Sequence, residues 1–313
     1  MWTLLAFISA LCLGFYDISK KIALRDNKVI DVLTLSICFS SLVLSLPLLL
    51  SRLYPQMMMD TAFYVPRLDF QAHLFTLLKS LIVLSSWVFA YISLKHLPLS
   101  VVSPMQATRP MWTLVGALLI FGERLNTWQW LGVAFAIGTV LVFSLSAVSK
   151  SLTPKSLTPN PSHTPYYFAL ALAILIGACS GLYDKYLMRR YDHNAVQVYY
   201  TFYQALLMLI VWTADYKRSR ASNASGAPSA HTIKNLGVIA LISVFLIISD
   251  NVYMLALRDP DSLIAVVSTI RRGGAVIGFA YGLIFLKEHD PLRKLLCMVG
   301  ILIGLLFLAI GSL

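Results

Sequence analysis

Three arginines stand inside apolar runs of this chain, Arg109 in one and the adjacent Arg271 and Arg272 in another. A guanidinium grips carboxylate or phosphate through a two-pronged hydrogen-bonded fork, so the chemistry these residues offer is capture of an anion. A charge at mid-membrane depth is costly, about 2.5 to 3.5 kcal/mol for arginine on insertion scales, and each guanidinium must therefore face protein, water or ligand. Gln106 lies three residues before Arg109 on one helical face, which makes Arg109, Arg271, Arg272 and Gln106 the candidate substrate-binding set. Asp250, in the middle of LIISDNVY, can neutralise only one of the three bases. The surplus positive charge argues for an anionic group on the ligand, with Asp250 tuning the site or taking an amine or a proton.

The facing of the pair follows from helix geometry. From Arg271 the helical face runs through Gly274, Gly278 and Gly282, a small-residue stripe that lets another backbone approach. Arg272 is turned by about 100° and is expected to point toward a neighbouring helix and pair with Asp250. Asp17 and Asp184 follow the small-residue pairs Ala10 and Gly14, and Gly177 and Gly181. Both are candidates for coupling or charge pairing, and an interfacial charge, with Lys21 as partner for Asp17, is the alternative. Lys79, close to a helix start, reads as a side chain that snorkels to the interface. Glu123 and Glu288 end their helices and read as structural, while Trp87, Tyr91, Trp112, Tyr253 and Tyr281 are candidate cavity walls.

The elements that must position these groups are set by composition. With 58% hydrophobic and 12% charged residues over 313 positions, the chain is an integral, multi-pass protein of a cell membrane, inner or plasma. Apolar segments near 3–23, 30–50, 73–94, 99–121, 127–147, 166–186, 195–213, 236–257, 262–286 and 293–312 predict ten transmembrane helices and an all-α fold. Arg109 is followed by Pro110, which predicts a kink beside that charge. Residues 150–165, KSLTPKSLTPNPSHTP, form a Pro/Ser/Thr-rich linker between a first five-helix repeat over 1–149 and a second over 166–313. Gly14-Phe15-Tyr16-Asp17 matches Gly181-Leu182-Tyr183-Asp184, and Val101-Val102-Ser103 matches Val266-Val267-Ser268. Because each copy holds an odd number of spans, the second is expected to be inverted across the membrane. Residues 214–234 are expected to be a polar, mobile connection, and 51–71 a longer loop.

The net charge of +11 is scattered over short loops, which sets aside nucleic acid as a partner. Loops after odd-numbered helices hold fourteen Lys and Arg against seven on the other side, so the positive-inside rule places both termini outside. The four cysteines lie within predicted spans without metal-ligand spacing. The apolar N-terminus has no basic leader or small-residue cleavage site and reads as a retained first helix. No nucleophile-elbow, zinc-protease or phosphate-loop motif stands in the sequence, so neither an enzyme nor a cofactor is expected.

Pro110, the helix end Phe121-Gly122-Glu123-Arg124-Leu125 and the opening Gln129-Trp130-Leu131-Gly132, set in two five-helix repeats, resemble the EamA-type branch of the drug/metabolite transporter superfamily. The second copy departs from the pattern, with Ala275 where the first has Pro110 and Leu286-Lys287-Glu288 at its helix end. The resemblance implies a secondary carrier without an ATPase subunit, working by alternating access around a cavity formed by the third, fourth, eighth and ninth helices. It also implies cytoplasmic termini, opposite to the charge count. A small-molecule substrate and the lipid bilayer are the expected partners, a proton or counter-substrate the candidate coupling species, and a monomer or homodimer the assembly. The alternatives are a membrane-embedded enzyme, a non-transporting scaffold, or a drug or cation exporter of the same fold.

Overall fold

A chain that crosses lipid must satisfy its backbone hydrogen bonds within each segment, and among the described residues of the computed structural model the regular secondary structure is accordingly all helical. The described residues are 1–96, 108–151, 164–222, 234–274, 276–277, 281 and 291–311. The helices are α1 (Trp2–Asp26), α2 (Val29–Leu53), α3 (Pro55–Met58), α4 (Phe70–His96), α5 (Arg109–Phe121), α6 (Thr127–Ser151), α7 (Thr164–Met188), α8 (His193–Ser222), α9 (Leu236–Arg258), α10 (Ile264–Arg272) and α11 (Pro291–Ile310). Among the described residues six stretches are long and apolar enough to cross a membrane: Trp2–Lys20, Val29–Leu53, Phe70–Ala90, Pro165–Met188, His193–Lys217 and Leu236–Arg258. The core of the linker, residues 152–163, lies outside the described residues, as does Gln106.

Several boundaries differ from expectation for local reasons. The helix expected over 262–286 is α10 only as far as Arg272, where Gly273 and Gly274 form a turn closed by bonds from Gly273 N to Ile270 O (2.8 Å) and Gly274 N to Arg271 O (3.3 Å). Pro110 kinks nothing within the described residues. It lies in the first turn of α5, where a missing N–H costs no hydrogen bond. Helix α8 continues to Ser222, well into the segment expected to be a loop, because Ala, Lys and Arg there are good helix formers. The expected loop 51–71 includes the one-turn helix α3.

The motif after α5 has a structural explanation. Gly122, at φ 61°, ends the helix in the left-handed conformation that glycine adopts without strain. Asn126 and Gln129 then cap α6 reciprocally, Gln129 N donating to Asn126 Oδ1 (2.8 Å) and Asn126 N to Gln129 Oε1 (3.0 Å).

Helices of the first half pack chiefly on helices of the second. Helix α1 lies on α9 and α4 on α7; α1 meets α10 as α5 meets α7; α2 meets α9 as α4 meets α8; and α2 pairs with α8, α5 with α10, α6 with α11. Small residues allow the closest approaches. A Cβ on Gly274 would strike the Ala10 carbonyl, and one on Gly14 would strike Gly274 O and Ile277. The stripe read from Arg271 is thus a packing surface for α1 at Gly274, while Gly278 and Gly282 lie outside the described residues.

The turn before α8 provides a small, checkable effect. Asp192 Oδ1 accepts from Asn194 N (3.0 Å) and Ala195 N (3.2 Å), and Oδ2 lies 3.4 Å from Arg258. Burial pushes this carboxyl up, but the His193 imidazole, the Ala195 amide and Arg258 more than offset it and hold it below the ordinary carboxylate value. Asp192→Ala is expected to lower stability by about 1 kcal/mol at neutral pH. A depressed pKa stabilises fully above the unfolded value of about 3.9 and loses the effect as pH falls through the folded value. Detergent melting of both proteins from neutral to acid pH should converge; a gap that stays constant would contradict the capping role.

Candidate functional site

A cavity of about 420 Å³ opens where α1, α4, α5, α7, α8, α9 and α10 converge. It is lined by Arg109, Arg271 and Arg272 and also by Asp17, Asp184 and Asp250, so it brings together all six charged residues of the candidate set. Lys20 and Lys79 line it too. Among the described residues five basic groups therefore face three acidic ones, a surplus of two positive charges.

These charges differ in how they are matched. Lys79 is 2% exposed and donates to Asp184 (2.7 Å), with its ammonium 4.5 Å from the centre of the Tyr200 ring. The expectation that Lys79 snorkels to the interface is therefore corrected. Its side chain points across the bundle because an acid on α7 and an aromatic face on α8 offer a desolvated ammonium more than the interface does. A signal for it exists in the sequence: Thr76, Lys79, Val83, Ser86 and Ala90 recur at three- and four-residue spacing along one face of α4.

Arg271 forms the ion pair with Asp250, stacks over Tyr253 at 4.2 Å and donates to Ser249 Oγ (3.4 Å). The expected Arg272–Asp250 pairing is thus replaced by Arg271–Asp250. Both arginines occupy the last turn of α10, where cations also meet the negative end of the helix dipole. Arg272 is exposed, and the surface it exposes belongs to the cavity. Asp17 is likewise exposed into the cavity and has no ion-pair partner among the described residues.

Arg109 is held differently. One of its terminal amines donates to Ser86 Oγ (3.3 Å) and Ala173 O (3.3 Å), and among the described residues its buried Nε has no acceptor and no carboxylate pairs with it. Gly177 supplies its seat, because a Cβ there would strike the guanidinium. The local arrangement parallels that at Arg271. Ser86 donates to Ala173 O (2.8 Å) and Ser249 donates to Ser9 O (3.0 Å), and each arginine leans on the donating serine of its own pair. The residue after Ser249 is Asp250, whereas the residue after Ser86 is Trp87, which also lines the cavity. This replacement leaves Arg109 without a paired acid among the described residues.

Of the aromatic candidates, Trp87 and Tyr253 line the cavity; Trp112 and Tyr281 do not, and the side chain of Tyr91 lies outside the described residues. Tyr16 and Tyr200, unmarked in the sequence, complete the wall. Glu123 lies away from the cavity. Its carboxylate accepts from Ile264 N (2.7 Å) and Ala265 N (3.1 Å) and pairs with Lys185 (2.6 Å), which ties the end of α5 and helix α7 to the start of α10. Lys185 also donates to Ser262 O. Among the described residues no group of His, Cys, Asp and Glu is placed to hold a metal ion.

Residues 1–145 match the family model of the EamA-like transporter family. The crystal structure of another protein aligns over 98% of this chain and 95% of its own, with a TM-score of 0.71 and 12% identity, which shows a common fold alone. No curated protein matches the sequence.

Proposed function

We propose, for a chain whose residues 1–145 match the family model of the EamA-like transporter family, a secondary membrane transporter that carries a small organic metabolite bearing a carboxylate or phosphate. The observation that carries this reading is the surplus of two positive charges in one cavity between the halves of a membrane-helical bundle. An excess of desolvated cations is stabilised by an anionic ligand, and Arg109, Arg271 and Arg272 are the groups that would hold it. Asp250 tunes Arg271, while Asp17 and Asp184 are the groups to which a coupling proton or counter-substrate would respond.

We further propose ten transmembrane helices in two inverted five-helix repeats, 1–149 and 166–313, with the linker 150–165 between them. The helix pairings support this arrangement, since exchanging the halves turns α1 on α9 into α7 on α4, and α1 on α10 into α7 on α5. The parallel seating of Arg109 on Ser86 and Arg271 on Ser249 supports it at residue level. Alternating access would then be a rocking of pseudo-equivalent elements about the cavity.

The test is reconstitution into liposomes with a mixture of labelled organic anions and cations. The expected result is movement of an anion between compartments without chemical change. Conversion of a solute without movement would favour a membrane enzyme and contradict the proposal.

A further inference from the structure

The four groups left unmatched in the cavity are Arg109, Arg272, Lys20 and Asp17, because Lys79–Asp184 and Arg271–Asp250 neutralise each other pairwise. Lys20 sits beside the Tyr16 ring at 5.7 Å and belongs, with Asp17, to the last three turns of α1. Arg109 and Arg272 come from two different helices, α5 and α10, that pack on one another, and both line the cavity, as does Asp17, the carboxylate whose charge bears on Arg272. No carboxylate pairs with either one among the described residues. Two guanidiniums and the Lys20 ammonium face one space against the single carboxylate of Asp17, a surplus of two positive charges that a doubly negative group would neutralise.

We infer that the transported molecule is a small organic dianion clamped between Arg109 and Arg272, a phosphate monoester being the group that best fits two converging guanidiniums. The inference rests on the anion-carrier reading above and goes beyond it in charge and in residues: Arg271, already occupied by Asp250, is a positioning residue rather than half of the clamp. A phosphate monoester presents three acceptor oxygens and about two charges from one compact group, and two forks can share it. Trp87 and Tyr253 offer apolar walls to the remainder of the molecule.

Calorimetric titration of the detergent-purified full chain tests this with three probes, glycerol 3-phosphate, succinate and lactate, at pH 7.5 and at pH 5. Wild-type protein is expected to bind the two dianions about ten- to a hundredfold more tightly than lactate at pH 7.5. The advantage of glycerol 3-phosphate over lactate should shrink at pH 5, below its second pKa of about 6. Arg272→Gln should leave the dianions and lactate within a few-fold of each other, and Arg109→Gln is the second variant, should the first fail to fold. Arg271→Lys should retain the dianion preference. Equal binding of lactate and the dianions by wild type, or a dianion preference that survives in both Gln variants, would overturn the clamp while leaving an anion carrier standing. Binding of tetraethylammonium with none of the three anions would overturn both.

Discussion

Arg271→Gln is expected to lower the stability of the detergent-solubilised protein by roughly 3 to 5 kcal/mol, whereas Arg272→Gln should leave it unchanged or slightly higher. The reason lies in what each substitution leaves behind. Removing the Arg271 guanidinium takes from the Asp250 carboxylate, whose side chain is 19% exposed, its ion-pair partner among the described residues. Removing Arg272 breaks no ion pair among the described residues, because Asp17, the carboxylate its charge acts on, is exposed into the cavity and also feels Lys20. Melting temperatures of the two variants in one detergent decide the matter. A stable Arg271→Gln with a destabilised Arg272→Gln would restore the pairing inferred from helical spacing and contradict the ion pair seen in the structure.

The second large effect concerns Lys79 and Asp184. Lys79→Met and Asp184→Asn should each cost roughly 3 to 5 kcal/mol, since each leaves one buried charge without its partner. Lys79→Met combined with Asp184→Asn should recover most of that loss. An uncharged pair of similar volume carries no desolvation penalty, and replacing buried ion pairs with uncharged side chains is often neutral or stabilising. The double-mutant cycle should therefore show a coupling of about 2 kcal/mol or more. Additive losses would mean that the 2.7 Å contact contributes little and that the two residues act through separate neighbours.

The membrane-helical character and the gathering of charge were legible in the sequence because both follow from composition and depth alone. Arg109, Arg271, Arg272, Asp17, Asp184 and Asp250 stand out wherever apolar runs are scanned for charge, and all six line one cavity. The pairing among them was not legible. Helical spacing fixes the angle between Arg271 and Arg272 but not which helix lies on either side, and α10 is flanked by α1, α5, α7 and α9 at once. The turn at Gly273 and Gly274 was hidden for a similar reason: glycines in an apolar run read equally well as a packing stripe and as a helix end. Lys79 was misplaced because distance from a helix start says nothing about an acid arriving from α7. The Glu123 motif shows the opposite case. Its structural reading is consistent with a cap on α10, although nothing local names the distant amides of Ile264 and Ala265 as its partners.

The central claim, that the cavity is an anion site, is tested most directly by the melting temperature of the full chain in the presence of organic anions or organic cations. A ligand that binds only the folded protein stabilises it by about 2.7 kcal/mol at a hundredfold excess over Kd. The account expects glycerol 3-phosphate or succinate to raise the melting temperature of wild type, tetraethylammonium to leave it unchanged, and Arg109→Gln to abolish the anion effect while still melting as a folded protein. Stabilisation by organic cations with none by anions would contradict it and assign the cavity to a cation.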